Sequence, residues 1–161
     1  MPRIPVPTWF FALVVIHKED KFLLVQEKKH NQTWYLPAGR IEAGESLLHG
    51  ACREVHEEAG IPVNLKGIIQ LEHTPYPDGT ARFRIVLLGS PADDTPPKKN
   101  PDGHSLQAAW YSLAQMEKLE LRGPEVLNYC SFIQQGGKAV PLTLLGEEGF
   151  MNRQAGDEEI Y

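Results

Sequence analysis

The residues best suited to chemistry in this chain lie between positions 45 and 58: Glu45, Glu54, Glu57 and Glu58, with Arg53 among them. If Ser46 to Ala59 is helical, Glu54 lies one turn from both Glu57 and Glu58, and their carboxylates converge. Like charges at that spacing destabilise an isolated helix, and burial raises the cost. A positive charge is therefore required among them. A hard divalent cation with oxygen ligands, Mg²⁺ above all, suits such a cluster, with Mn²⁺ as its candidate substitute.

The flanking residues predict a helix with a defined entry and exit. Ser46 or Glu45 caps its start, and Leu48, Ala51, Cys52, Val55 and Ala59 form an apolar stripe. Gly60 supplies the left-handed residue after its last turn. The full pattern runs Gly39, five residues, Glu45, seven residues, Arg53-Glu54-Val55, one residue, Glu57-Glu58, one residue, Gly60-Ile61. Seven fixed residues near ~6% frequency each, plus two apolar positions, would coincide by chance in this chain roughly once in ten million. The spacing resembles the Nudix box of the Nudix hydrolases, with every specified position filled.

That resemblance implies the Nudix fold, an α+β arrangement in which a mixed β-sheet is sandwiched between α-helices. It implies hydrolysis of a nucleoside diphosphate linked to another group, with water attacking a pyrophosphate phosphorus. Carried over by position, Glu54, Glu57 and Glu58 are metal ligands, and the carbonyl of Ala38 is a further one. Glu54 or Glu57 alternatively orients or deprotonates the water. Arg53 and Glu45 form a pair that holds the carboxylates in place, since a planar guanidinium fork suits a bidentate carboxylate better than a metal. Some relatives place an acidic residue just before the tryptophan of the last strand. Here that position is Ala109; His104, Asp102, Asp93 and Asp94 on the preceding loop could substitute, but each reads better as a surface loop residue, so the chemistry is placed on the box alone. Arg40, Arg84, Arg122 and Trp34 are the candidate substrate contacts, the arginines for phosphate and Trp34, Tyr35, Phe10 or Tyr76 for stacking on a base.

Outside the box, WYLPAGRIEAGE, HSLQAAWY, LRGPEVL and VPLTLLG resemble one branch of that family. The branch holds phosphatases of nucleoside di- and triphosphates and of a thiamine-precursor pyrophosphate, and an animal 8-oxoguanine nucleoside diphosphatase. It implies a nucleoside di- or triphosphate substrate, with sanitising of oxidised nucleotides as one role. A nucleotide-sugar or ADP-ribose pyrophosphatase is the alternative, because Pro77 lies sixteen residues beyond Ile61. A non-catalytic ligand-sensing module is the third reading, disfavoured by the intact carboxylates.

The rest of the chain must position this box. Residues 8–17 read as a buried strand, and Lys21 to Gln26 as its hairpin partner across Glu19-Asp20. Trp34 to Leu36 forms a short strand before Pro37. Val63 to Glu72, kinked near Gly67, and Arg82 to Leu88 are further strands, joined by the turn chemistry of TPYPDGT. Arg82 and Arg84 share one face of theirs. A Pro- and Asp-rich loop spans Ser90 to Gly103, then a strand covers Leu106 to Tyr111. Helices follow at Ala114–Leu119 and Pro124–Gln135. A single domain over 1–145 is expected, followed by an acidic, polar tail over 146–161 that composition predicts to lack packed structure.

Composition sets outer bounds. The 161 residues are 42% hydrophobic and 23% charged, ordinary for one globular domain. A net charge of −5 disfavours nucleic acid and anionic membrane as partners. Cys52 and Cys130 carry no metal or redox spacing, and no leader or membrane span is expected, so the cytoplasm is the predicted location. A small-molecule nucleotide is the expected partner. The oligomeric state is left open, a homodimer included.

Overall fold

The computed structural model describes residues 3–153. Its centre is β1 (Thr8–Lys18), where Ala12 to Ile16 are all buried. Such an unbroken apolar run belongs to a strand covered on both faces. Ala12, Val14 and Ile16 pack with Val55 and Ala59 on one side. Leu13 and Val15 pack with Val126, Cys130 and Ile133 on the other. The sheet is thus sandwiched between helices, in the α+β arrangement expected.

β1 turns at Glu19-Asp20 into β2 (Lys21–Glu27), and the hairpin pairs His17 with Phe22. Glu19 adopts a positive φ of 58° to make that turn. The short β3 (Trp34–Tyr35) adds to β2. A three-residue strand, β4 (Ala38–Arg40), then pairs antiparallel with β1, Gly39 opposite Ala12. Its pairing with β1 is what holds the start of the box.

The helix α1 (Leu47–Ala59) begins at Ser46, whose hydroxyl accepts from the His49 N–H at 3.1 Å, and ends at Gly60 with φ 73°. Of the two capping candidates, Ser46 holds the role. β5 (Val63–Pro75) and β6 (Ala81–Pro91) form a long antiparallel pair, and β6 runs parallel to β1 from Ala81 to Gly89. β7 (Ser105–Tyr111) pairs with β2. Two helices, α2 (Leu113–Met116) and α3 (Glu125–Gln134), cover the face opposite α1. The strand order is β3-β2-β1-β6-β5, with β4 on β1 and β7 on β2.

The kink expected near Gly67 is a pair of register shifts, one on each side of Gly67-Ile68. There Ile68 exchanges two backbone hydrogen bonds with Val140, at 2.8 and 2.9 Å. Of the predicted tail, Gly146, Glu147, Phe150 and Asn152 line one cleft together with residues 45–48 at the start of α1. The expectation for residues 154–161 falls outside the described residues. Among the described residues, no helix is long and apolar enough to cross a membrane.

A Cβ at Gly67 would stand 2.7 Å from the Ala139 Cβ and 2.8 Å from the Val140 carbonyl. Gly67→Ala is therefore expected to cost about 1–3 kcal/mol of stability, the range for overpacking. Urea denaturation would measure it, and a loss below experimental error would show that the β5 crossing yields freely.

Candidate active site

Arg53 is the hub of the box. Its Nε and Nη2 donate to both oxygens of Glu45 at 2.8 and 3.0 Å, the bidentate pair expected from its fork. Its Nη1 donates to Glu54 Oε1 at 2.8 Å and Glu57 Oε2 at 3.0 Å. Its Nη2 also reaches the Arg40 carbonyl at 2.9 Å, tying the helix to β4. The positive charge required by the converging carboxylates is, in this arrangement, the guanidinium itself. Pairing with Arg53 and the Glu42 N–H holds the Glu45 carboxyl down to about 2. Burial, by contrast, raises Glu54, with Arg53 opposing it.

Glu58 points elsewhere on the same helix. Its Oε2 accepts from the Ala38 N–H at 2.9 Å. Burial pushes its carboxyl up to about 8, with Glu54 and Glu27 adding and the Ala38 N–H and Lys98 opposing. In antiparallel pairing a residue's N–H and C=O share one side. The Ala38 carbonyl therefore also faces away from β1, on the side of Glu58. Gly39 lacks a side chain for a local reason: a Cβ there would overlap the Glu54 carboxyl.

These residues fit a hard cation through their donor set. Glu54 Oε2, Glu57 Oε1 and Glu58 Oε1 have no protein hydrogen bond among the described residues, and none is sealed from solvent. In the present conformation no three acidic, His or Cys side chains among the described residues meet in a metal-holding group. Arg53 Nη1 bridges Glu54 and Glu57, while Glu58 is engaged separately by the Ala38 N–H.

The last turn of α1 is clamped from outside. The Ser105 hydroxyl donates to the Glu58 carbonyl at 2.6 Å, and the Lys98 N–H to the Ala59 carbonyl at 2.9 Å. Lys98 Nζ reaches the Glu57 carbonyl and pairs with Asp102. Asp102 in turn accepts from the His104 and Ser105 N–H groups. The Pro- and Asp-rich loop is thus fixed in its second half. It also brings His104 Nδ1 to 3.6 Å from Glu57 Oε2, while Asp93 and Asp94 are exposed, Asp94 paired with Lys18. Ala109 packs into the core opposite Leu24.

A cleft of about 520 Å³ opens beside the box, lined by Ala38, Gly39 and Glu58 at one end. Tyr35, Arg84 and Arg122 form another part of its wall. Arg84 donates to Tyr35 Oη at 2.9 Å and pairs with Glu72. Arg122 pairs with Glu27 at 2.8 Å and lies over the Tyr35 ring. Two candidate contacts are placed differently. Trp34 is 8% exposed, packs edge-on against Tyr111 and lies outside the cleft lining, whereas Tyr35, the other aromatic candidate beside it, lines the cleft. Arg40 likewise lies outside that lining, its guanidinium 4.4 Å from the Trp9 ring centroid. Sequence reasoning missed Arg82, Glu27 and Lys28 as cleft residues. The alternation of Arg82 with Arg84 was the available signal for Arg82.

The fold and this box define a Nudix-type domain, and comparison with known proteins agrees. The NUDIX domain family model matches residues 9–130. Over 135 residues the chain is 32% identical to the phosphatase NudJ of Shigella boydii, covering 83% of this chain and 87% of that protein. It is 36% identical over 118 residues to the mouse 8-oxo-dGDP phosphatase NUDT18, covering 71% of this chain but only 35% of NUDT18. This chain thus spans about a third of that relative's length. A NUDIX hydrolase structure from Nitrosomonas europaea superposes with a TM-score of 0.72 at 29% identity, covering 88% of this chain and 97% of that one. The chain belongs to the Nudix hydrolase family.

Two measurements probe the box. Glu45→Gln and Arg53→Lys each remove the bidentate pair, so combining them is expected to lower kcat/KM by much less than the product of the single effects. Fully multiplicative losses would separate the two roles. The second concerns Glu58, whose folded carboxyl binds its proton more tightly than the unfolded one. Its contribution to stability is therefore greatest below pH 4.5 and is lost as pH rises towards about 8. Thermal melts in EDTA across that window should show the slope in wild type and a flatter one in Glu58→Gln. Equal slopes would place the proton elsewhere.

Proposed function

We propose that this protein hydrolyses a phosphoric anhydride bond in a nucleoside diphosphate-linked substrate, with Mg²⁺ as cofactor. A nucleoside di- or triphosphate is the substrate class, oxidised purine nucleotides included. The reading is carried by one observation: the carboxylate box is intact, and its Glu58, with Ala38 and Gly39, lines a cleft shared with Arg82, Arg84 and Arg122. The similarity to the phosphatase NudJ supports the release of phosphate, and that to the 8-oxo-dGDP phosphatase supports the substrate class.

Glu54, Glu57, Glu58 and the Ala38 carbonyl would hold the cation. When bound, Mg²⁺ neutralises phosphate charge and lowers the pKa of coordinated water. The protein's own part is positional. Arg53 holds Glu54 and Glu57 on one side of α1 and fixes Glu45 and β4 against them. The Ser105 and Lys98 clamp fixes the height of the last helical turn. Glu54 or Glu57 takes the proton from the attacking water, and the free carboxylate oxygens mark both as competent to do so. Cleft cations orient the phosphates, as phosphoryl transfer depends chiefly on placement and charge.

Glu57→Gln keeps the side-chain shape but removes one charged ligand, and kcat should fall by about 10³. Wild-type turnover at saturating Mg²⁺ would remove Glu57 from the site. A panel of nucleoside diphosphates, triphosphates and ADP-ribose, with products identified, tests the substrate. Orthophosphate from the diphosphates is expected. AMP with ribose 5-phosphate from ADP-ribose as the dominant reaction would replace this reading with the nucleotide-sugar pyrophosphatase.

A further inference from the structure

The arginines of the cleft are not equivalent. Arg84 is committed to Glu72 and Tyr35, and Arg122 to Glu27. Arg82 lies two residues before Arg84 on β6 and lines the same cleft. Among the described residues, no carboxylate pairs with it and no side-chain hydrogen bond is made by it. Its Nε is sealed from solvent without a partner, one of two such side-chain atoms among the described residues.

Its guanidinium is nevertheless fixed. The Cζ lies 4.0 Å from the centroid of the Phe11 ring, on the neighbouring strand. A guanidinium stacked on an aromatic face has its plane set and directs its N–H groups sideways from the stack. An arginine merely draped over the surface would leave Nε to water, and this one does not. A buried charged donor without an acceptor destabilises the protein that carries it. The arrangement becomes favourable once an anionic oxygen arrives.

Register locates that oxygen relative to the box. Arg82 stands opposite Trp9 on β1, while Ala38 stands opposite Leu13. Four residues along β1 and two strand spacings across it separate the two positions, about 16 Å. An arginine side chain and a short phosphate chain together span that gap. Arg82 also lines a smaller cleft of about 150 Å³ with Tyr76 and Thr74, so it stands on the wall between two openings.

We propose that Arg82, its plane set by Phe11, binds a phosphate oxygen of the substrate on the side away from the carboxylate box. The identity of the substrate rests on the proposed function, whereas the anion site stands on the geometry of Arg82 alone. The probes are GDP and inorganic pyrophosphate, titrated calorimetrically in EDTA against wild type, Arg82→Gln and Arg82→Lys. Arg82→Gln should weaken both by roughly 10- to 100-fold, as expected for loss of one charge-assisted contact. Arg82→Lys should recover part of that loss, keeping the charge without the fork.

Two further readouts separate binding from structural support. The melting temperature of ligand-free Arg82→Gln should equal or exceed that of wild type, because an unsatisfied donor is removed. With nucleotide substrates the loss should appear in KM rather than kcat. Arg82→Gln that binds both probes within about twofold of wild type would overturn the proposal. So would a lowered melting temperature with affinity retained, or a wild type that binds neither probe. Wild type that binds both probes through Arg82 yet hydrolyses no nucleotide would uphold the anion site and refute the proposed function instead.

Discussion

Everything at this site depends on the five hydrogen bonds of one guanidinium. Arg53 holds Glu45, Glu54, Glu57 and the Arg40 carbonyl at 2.8 to 3.0 Å. Three carboxylates drawn together without it would repel one another at distances where the partly buried setting screens poorly. The fork solves a geometric problem as well as an electrostatic one. Two N–H groups point at Glu45, and the others are left to reach along the helix and across to β4. A lysine supplies the charge but cannot make those contacts at once.

That hub is effective only because its surroundings are rigid on two sides. β4 is three residues long, yet its pairing with the fully buried β1 fixes Ala38, Gly39 and the Arg40 carbonyl. The absence of a Cβ at Gly39 allows Glu54 to lie against the strand. At the far end, Lys98 and Ser105 satisfy carbonyls of the last turn of α1 that a helix leaves without internal partners. Glu57 and Glu58 therefore project from a turn whose backbone is held by another part of the chain.

Local features were legible in the sequence, and long-range ones were not. The cap at Ser46, the exit at Gly60 and the hairpin at Glu19-Asp20 each follow from a few neighbouring residues. The Arg53–Glu45 pair was readable because both belong to one short motif and their chemistry is complementary. β4 was not, since three residues with a central glycine have neither strand propensity nor alternation to show. The Lys98–Ser105 clamp joins residues about forty positions apart, and no local pattern announces it. Trp34 and Tyr35 are adjacent and both aromatic. Only tertiary packing decides that Tyr35 lines the cleft while Trp34 packs on Tyr111. Arg82 and Arg84 were placed on one face by alternation, but which of them carries a partner depends on Glu72, a residue of the neighbouring strand.

The loop between β6 and β7 is mechanically two segments. Residues 92–96 are exposed, and their bonds are one from the Ala92 N–H to the Pro62 carbonyl, a local turn at Asp93 and a surface pair between Lys18 and Asp94. From Lys98 onwards the same loop is part of the support of α1. Chain length is consequently free to drift in the first segment, where added residues meet only water. In the second, one inserted residue would shift the Lys98 and Ser105 anchors out of phase with the helix they hold. The boundary between neutral and costly change thus falls inside a single connection, at Pro97, rather than at the edge of any helix or strand.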